Sequence, residues 1–532
     1  MTGRYPLHTG INDWIPNAAY GVPLRETMLP QLLAAQGGYR CHAVGKWHLG
    51  FFRTEYTPTF RGFESFYGAL RLLARCCCCC CCCCCCCCCC CCCCCCCLPT
   101  QQPAPAQRLA SPSRSRLAVS LCVCVRARAR ARPGYYEGAE DYYAHTAADA
   151  DVHTGFDLHR EPTPRCGANC STRAWGDVGS YSTNLFGAEA VRVIEAHDAA
   201  EPLFLFQAWQ GVHFPRQAPM RYVGAYNSSI ADPARRVFAG MVSAVDEGIG
   251  NISAALAAKG MLDDSVIIVS TDNGGPTTEC AAIGASNYPL RGGKCSVWEG
   301  GTRGTALVSS RRHNPEGGGF EWAGLMHAAD WLPTLVRGAA GLSIPAGATQ
   351  PLDGLDLWEA LTTNRTSTTS AAAAAGGGAG RPGDEVTLRR HLYYGMADSC
   401  IGAHGPAIRS PDGWKLIRGG GGGGAGAHPA NPVQPPSGAA ASAAAASTAG
   451  STVLSQPPGG AAPLLFNVLR DASERQNVSI ALQAAVVADL NATLSALWST
   501  GVPQATGDPR CPKYAPHNSS QGQWVGPWCD DY

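Results

Sequence analysis

Three short stretches of this 532-residue chain carry side chains suited to holding small ions. In G-K-W-H-L-G, Gly45 to Gly50, Lys46 and His48 stand two residues apart. If extended geometry persists through Trp47, the two side chains project to one face. An ammonium and an imidazole together at a strand end suit an oxyanion. In S-T-D-N-G-G, Ser270 to Gly275, Asp272 and Asn273 place a carboxylate beside an amide oxygen. That pair suits a hard divalent cation such as Ca²⁺ or Mg²⁺. The same residues also read as an Asx-Gly turn that ends a strand, and the local pattern leaves both readings open. The third stretch, G-V-H-F-P, holds His213. A single histidine is more often structural than catalytic, and only its position past a strand makes it a candidate.

These residues gain meaning from the elements that would carry them. Val266 to Val269 is a short β-branched run, the pattern of a fully buried parallel strand, although a run this short also suits a buried helix segment. Asp272 would then lie just past its C-terminal end, where open α/β sheets place their ligands. Cys41 to Val44 reads as a strand running into Lys46, and Leu203 to Ala208 as a buried strand running towards His213. Helices are expected over Glu26 to Gln36, Leu185 to His197 and Pro233 to Lys259. The last has Asp232 as its N-cap and Pro233 at its first position. Phe238, Met241, Val242, Val245, Ile249, Ile252 and Leu256 mark a core-facing stripe on it. Strand, helix and strand alternate from Leu203 to Ser270. The expected fold class is therefore α/β, with a mostly parallel central sheet sandwiched by helices.

The rest of the chain divides by composition. A main domain is expected over 1–368, interrupted by a low-complexity insert over 69–133 that holds the unbroken run Cys76 to Cys97. An Ala/Gly linker follows over 369–383. A smaller subdomain, 384–532, is broken by a Gly/Ala/Pro tract over 419–463 that lacks material for a core. Its pieces His391 to Tyr394, Ala407 to Arg418 and Leu464 to Val468 suit a short antiparallel sheet closed by a helix over Leu482 to Leu497. The net charge of +1 gives no argument for a nucleic-acid partner. The cysteine run is long enough to cross a bilayer, but one repeated residue is poor evidence for a span, so no membrane span is expected. Sequons at Asn169, Asn227, Asn251, Asn364, Asn477, Asn491 and Asn518, with dispersed cysteines, favour a secreted or lysosome-like compartment. The chain opens M-T-G-R-Y, without the apolar region of a signal peptide. Disulfide pairing stays open, with Cys511 and Cys529 a candidate local pair.

Taken together, the motifs resemble the sulfatase family of the alkaline-phosphatase-like superfamily, most like its arylsulfatase B branch. T-G-R-Y at Thr2 resembles the end of the first sulfatase signature, and G-Y-R-C-H-A-V-G-K-W-H-L-G at Gly38 the second, with Cys41 where Ser or Thr is usual. Y-S-T-N-L-F at Tyr181, G-V-H-F-P at Gly211 and S-T-D-N-G-G with P-L-R-G-G-K-C-S-V-W-E-G-G-T-R-G are similar to further blocks. H-A-A-D-W-L-P-T-L at His327, D-G-L-D-L-W at Asp353 and D-G-W-K-L-I at Asp412 complete a collinear series. The resemblance implies a sulfuric ester hydrolase of the arylsulfatase type, acting on aryl sulfates or sulfated sugars. It implies that Asp272 and Asn273 bind Ca²⁺, that Lys46 and Lys294 contact the sulfate, with His213, and that His48 and His213 flank the nucleophile and leaving group. The family's nucleophile is a formylglycine, made from cysteine by a formylglycine-generating enzyme. Alignment of T-G-R-Y places that cysteine upstream of Met1, so the chain as given is expected to be inactive. Two alternatives stand beside this one. The first is a phosphatase or phosphodiesterase of the same superfamily, and the second a non-catalytic protein that binds sulfated glycans.

Overall fold

The computed structural model describes residues 1–11, 19–70, 141–148, 154–166, 170–277, 284–294, 296–314, 317–363, 388–394, 406–418, 463–512 and 517–530. All of these lie in one compact unit formed by Met1–Cys76 and Gly138–Tyr532. A second unit, Cys77–Glu137, lies outside the described residues, as do the expected linker 369–383 and residues 419–462. The expected insert 69–133 overlaps the fold at its start, since Ala69 and Leu70 are buried parts of it.

In chain order the first strands are β1 (Arg40–Gly45), β2 (Ser65–Gly68), β3 (Thr146–Ala148), β4 (Thr154–Phe156), β5 (His159–Glu161), β6 (Thr172–Arg173) and β7 (Leu203–Ala208). They are followed by β8 (Ile267–Ser270), β9 (Ala306–Ser309), β10 (Leu392–Tyr394), β11 (Ala407–Arg409), β12 (Trp414–Ile417), β13 (Leu464–Asn467), β14 (His517–Ser519) and β15 (Gly522–Trp524). The central sheet has the order β6-β5-β2-β1-β7. Its heart is parallel, β1 lying between β2 and β7 with Arg40 to Gly45 opposite Leu203 to Ala208. Its β5 and β6 side is antiparallel, so the sheet is mixed. The helix Leu29–Gly37 packs Leu29, Leu32 and Leu33 into one core with Cys41, Ala43, Phe63 and Phe66.

One expectation fails here. The pattern of Val266 to Val269 suits a fully buried parallel strand. Instead β8 pairs antiparallel with β9 as a separate two-stranded ladder, Ile267 opposite Ser309 and Ser270 opposite Ala306. Ile267, Ile268 and Val269 are half-buried, Ser270 is exposed, and so is Leu307 across from them. A β-branched run records a preference for extended backbone and says nothing about the partner that pairs with it. The helix above shows the same openness. It spans Pro233–Ala258 with the Asp232 side chain accepting from the Arg235 amide, as a cap should. Met241 and Leu256 of its stripe are buried, while Val242 is exposed and Phe238, Val245, Ile249 and Ile252 are half-buried.

The C-terminal sheet is antiparallel throughout, in the order β10-β11-β12-β13. The helix Ala484–Ser499 lays Leu490 and Leu494 on Ile408, Leu416 and Leu465. With the turn before it, Ile480–Ser499 is long and apolar enough to cross a membrane on length and composition alone. A fourth sheet, β14-β15-β4-β3, joins the last strands to those that follow the insert. The N-terminal T-G-R-Y is anchored by the Tyr5 amide donating to Asp353, 2.7 Å, and by Arg389, which pairs with Asp330 and donates to the Tyr5 hydroxyl.

Candidate functional site

The segment carrying Lys46 and His48 continues the central sheet and then leaves it. The Lys46 amide donates to the Ala208 carbonyl at 2.8 Å, prolonging the β1–β7 ladder by one bond. Gly45 makes that approach possible: its φ is +102°, and a Cβ there would strike the Ala208 oxygen. Trp47 is buried, its indole N–H donating to the carbonyls of Gly50 and Tyr56 at 2.9 Å each. The Trp47 and His48 amides then turn to the other neighbour, donating to Ala69 and Leu70. Leu70 is in turn held by its own amide donating to Asp157 Oδ1, 2.9 Å. Strand geometry does not persist through His48, whose φ is +54°, so the shared face expected for Lys46 and His48 does not follow from pleating.

His213 sits in the loop after β7. Its amide donates to Gln210, and its carbonyl accepts from the Tyr142 hydroxyl at 2.7 Å. The Tyr142 hydroxyl also donates to the Gln210 carbonyl, and the Ser182 hydroxyl to the Gln210 side chain. The His213 Nδ1 faces the Phe214 carbonyl at 2.9 Å. Burial first, then the charges of Lys294 and Lys46, push the His213 imidazole down to about 3. Three segments distant in the chain therefore bring two ammonium groups and one neutral imidazole into a single field.

Lys294 reaches this place through backbone rather than through a strand. Its amide donates to the Gly275 carbonyl at 3.3 Å, tying its loop to the turn after β8. Asn287 buckles the same turn: its Oδ1 accepts from the Gly275 amide at 2.8 Å, and its Nδ2 donates to Gly275 and Gly292. Gly274 donates to Gly301 at 2.9 Å, and a Cβ on Gly274 would collide with the Gly300 carbonyl. The glycines of D-N-G-G and W-E-G-G thus let two turns pack main chain against main chain.

Asp272 and Asn273 occupy the start of that turn. Asp272 is exposed, and Asn273 is half-buried with its Nδ2 donating to the Gly274 carbonyl at 2.7 Å. Their oxygens are the right hardness for Ca²⁺, yet that ion takes about six to eight oxygen donors. No cluster of three or more His, Cys, Asp or Glu side chains suited to a metal occurs among the described residues. The pair fits a share of a Ca²⁺ shell and not the whole of one.

No described cysteine is placed as a nucleophile. Cys41 is fully buried in β1, its thiol pushed up to about 12 by burial and by Glu64. Cys166 and Cys170 form a disulfide, as do Cys511 and Cys529. Cys280, Cys295 and Cys400 lie outside the described residues. Sequence reasoning did not single out Tyr142, Asn287 or Asp157, which bond to the backbones of His213, of Gly275 and Gly292, and of Leu70. Their signal is weak because each acts on a main-chain carbonyl or amide, which carries no side-chain pattern in the sequence.

Known proteins similar to this chain bear on the same blocks. A family model described as Sulfatase matches residues 1–76 and 135–342. Arylsulfatase J of Mus musculus is 33% identical over 367 residues, covering 68% of this chain and 47% of that protein. Arylsulfatase A of Homo sapiens is 26% identical over 371 residues, covering 67% of this chain and 56% of that protein. The chain thus spans about half the length of the curated relatives it matches. Among solved structures, Ps i-CgsB in complex with k-i-k-neocarrahexaose superposes with a TM-score of 0.58 at 21% identity, over 95% of this chain and 82% of that one. PsFucS1 sulfatase from Pseudoalteromonas sp. superposes with a TM-score of 0.56 at 20% identity, over 94% of this chain and 78% of that one. At such identity the likeness speaks for the fold.

Proposed function

This chain belongs to the sulfatase family, and from that premise we propose that its Lys46–His213–Lys294 constellation is the sulfate-binding part of a sulfuric ester hydrolase site. The observation that carries the reading is the field at His213, in which Lys294 and Lys46 both act on one half-buried imidazole. A sulfate monoester carries negative charge on its non-bridging oxygens, and new negative charge builds on the leaving oxygen as the S–O bond breaks. Two ammonium groups in a half-dry setting offset the charge on the sulfuryl oxygens. His213 is neutral without a ligand, and an anion seated between the lysines raises its proton affinity. The ring then has a proton to give to the departing oxygen of an aryl or sugar leaving group. His48 is assigned to the same proton traffic on the other side.

Asp272 and Asn273 would hold their share of Ca²⁺, which supplies positive charge beside a sulfuryl oxygen when bound. The nucleophile in this reading is a formylglycine installed by formylglycine-generating enzyme, and none of Cys41, Cys166, Cys170, Cys511 and Cys529 fits that role. Two disulfides among the described residues support an oxidising, secreted or lysosome-like location. The substrate class is an aryl sulfate or a sulfated sugar. A relative described as N-acetylgalactosamine-6-sulfatase and a solved structure described as bound to D-glucosamine-2-N,6-O-disulfate support the sugar arm.

Titration of the chain with inorganic sulfate and with a sulfated monosaccharide, beside an assay for released sulfate, tests the reading. Saturable binding that weakens about tenfold or more in Lys46→Ala and in Lys294→Ala is expected. Binding that ignores both lysines overturns the reading. Tight glycan binding in a protein that carries the nucleophile yet releases no sulfate would make it a binding protein instead.

A further inference from the structure

The loop that carries Lys294 does not stand alone. Pro289, Arg291, Trp298 and Glu299 of it lie against the C-terminal sheet and the turn that follows β13, and at the heart of the contact is a buried group of charges. Glu299 is 1% exposed. Its Oε1 accepts from Lys415 Nζ at 3.0 Å and its Oε2 from Arg409 at 3.2 Å. Lys415, on β12 and fully buried, also meets Glu474 Oε1 at 2.9 Å, with the Tyr394 ring 4.7 Å from its Nζ. Glu474 reaches back with its other oxygen, which accepts from the Glu299 amide at 2.7 Å. The backbone beside it is tied as well. Arg291 donates to the Glu474 carbonyl at 2.9 Å, and the Ser473 hydroxyl to the Pro289 carbonyl at 2.7 Å.

Two features set this group apart from ordinary packing. Sinking two carboxylates and an ammonium into a protein interior is costly, and apolar residues of like volume often hold a fold as well or better. Glu474 also has φ of +49°, a left-handed conformation uncommon for a residue with a side chain. Strain and buried charge together at one contact point to a geometric demand there. What the contact fixes is the path of the main chain on both sides of Lys294. Arg291 precedes it by three residues and Glu299 follows it by five, while Trp298 is clasped between the Arg291 guanidinium, 3.7 Å away, and Phe466 of β13.

We propose that Lys415, bridging Glu299 and Glu474, is a positioning residue that holds the Lys294 loop against the anion site, so that the C-terminal sheet is part of the sulfate-binding machinery. This rests on the reading of Lys294 as a sulfate contact. Lys415 touches no substrate itself; it acts by fixing Pro289 to Gly301. Lysine serves here because one ammonium can satisfy two carboxylates that would otherwise repel.

The test uses the whole chain with inorganic sulfate as the probe, and reads sulfate affinity together with the His213 titration by NMR. Lys415→Met is expected to weaken sulfate binding about tenfold and to raise the His213 pKa, because Lys294 withdraws. Lys415→Arg is expected to recover part of both. Glu474→Gln keeps the shape and the bond to the Glu299 amide, and it is the second variant should Lys415→Met fail to fold. A folded Lys415→Met or Glu474→Gln with unaltered sulfate affinity and an unaltered His213 titration overturns the proposal. If the unsubstituted chain takes up no sulfate, the proposed activity fails, and the His213 shift alone decides the positioning role.

Discussion

Replacing Lys294 by Ala should raise the pKa of His213 in the ligand-free protein. Burial is the largest cause of its low value, the Lys294 charge the next and the Lys46 charge the third. A neighbouring like charge shifts a partly buried titratable group by roughly one to two pKa units, about 1.4 kcal/mol for each unit. His213 is half-buried, so solvent takes some of that away, and a rise of about one unit is expected. The pKa should therefore move from about 3 towards 4 and still stay below the ordinary value near 6.5, since burial remains. Lys46→Ala should give a smaller rise, and Lys294→Arg almost none. The assay is the ring ¹⁵N shift of His213 followed against pH, with His213→Gln to assign the signal. The same logic gives the pH dependence of ligand uptake. An anion held by both lysines favours the protonated ring, so sulfate affinity should increase as pH falls through the liganded pKa. A His213 titration that does not move when Lys294 is lost from a folded protein refutes the placement of that ammonium beside the ring. A sulfate affinity flat from pH 7 to 4 refutes its coupling to the anion.

Other consequences are independent of that one. Gly274→Ala should destabilise the protein by about 1 to 3 kcal/mol and lower sulfate affinity, because its Cβ meets the Gly300 carbonyl and displaces the turn under Lys294; denaturant melts paired with sulfate titration check both. Calcium titrated calorimetrically into the chain should bind only weakly, with a dissociation constant of about 0.1 to 1 mM or above, and Asp272→Ala should abolish the heat. Unchanged stoichiometry in that variant removes Asp272 from the metal site. The His42 imidazole is pushed down to about 4, chiefly by burial, against about 6.5 in the unfolded chain. The unfolded state then takes up a proton first, so this contribution to stability is complete above about pH 6.5 and is lost progressively as pH falls towards 4. His42→Gln should flatten the fall in urea midpoint between pH 7 and 5. Asp232→Ala, which removes the cap on the Arg235 amide, should cost about 1 kcal/mol in the same measurement.

Much of the central parallel pair was legible. Cys41 to Val44 and Leu203 to Ala208 are apolar runs with polar or glycine ends, and they lie side by side in register as β1 and β7. The residues just past them, Lys46 and His213, share one electrostatic field because parallel strands deliver their C-terminal ends to the same edge. Lys294 had no strand to announce it; it is brought in by glycine turns whose meaning is steric and appears only when Gly300 lies opposite Gly274. The β8–β9 pairing escaped because periodicity reports which faces are apolar and not which neighbour supplies the hydrogen bonds. The charges around Lys415 were hidden for a different reason. In W-K-L-I a lysine at an alternating position reads as the solvent side of a strand, and Glu299 and Glu474 read as surface acids. Only the fold shows that both faces of β12 are covered, one by Leu490 and Leu494 from the closing helix and the other by Val297 and Trp298 from the Lys294 loop. A lysine between Trp414 and Leu416 on a doubly covered strand has nowhere to reach water, so its partners must come to it. The loop that brings Glu299 carries Lys294 with it, so on the proposal above the burial of Lys415 and the placement of Lys294 stand or fall together.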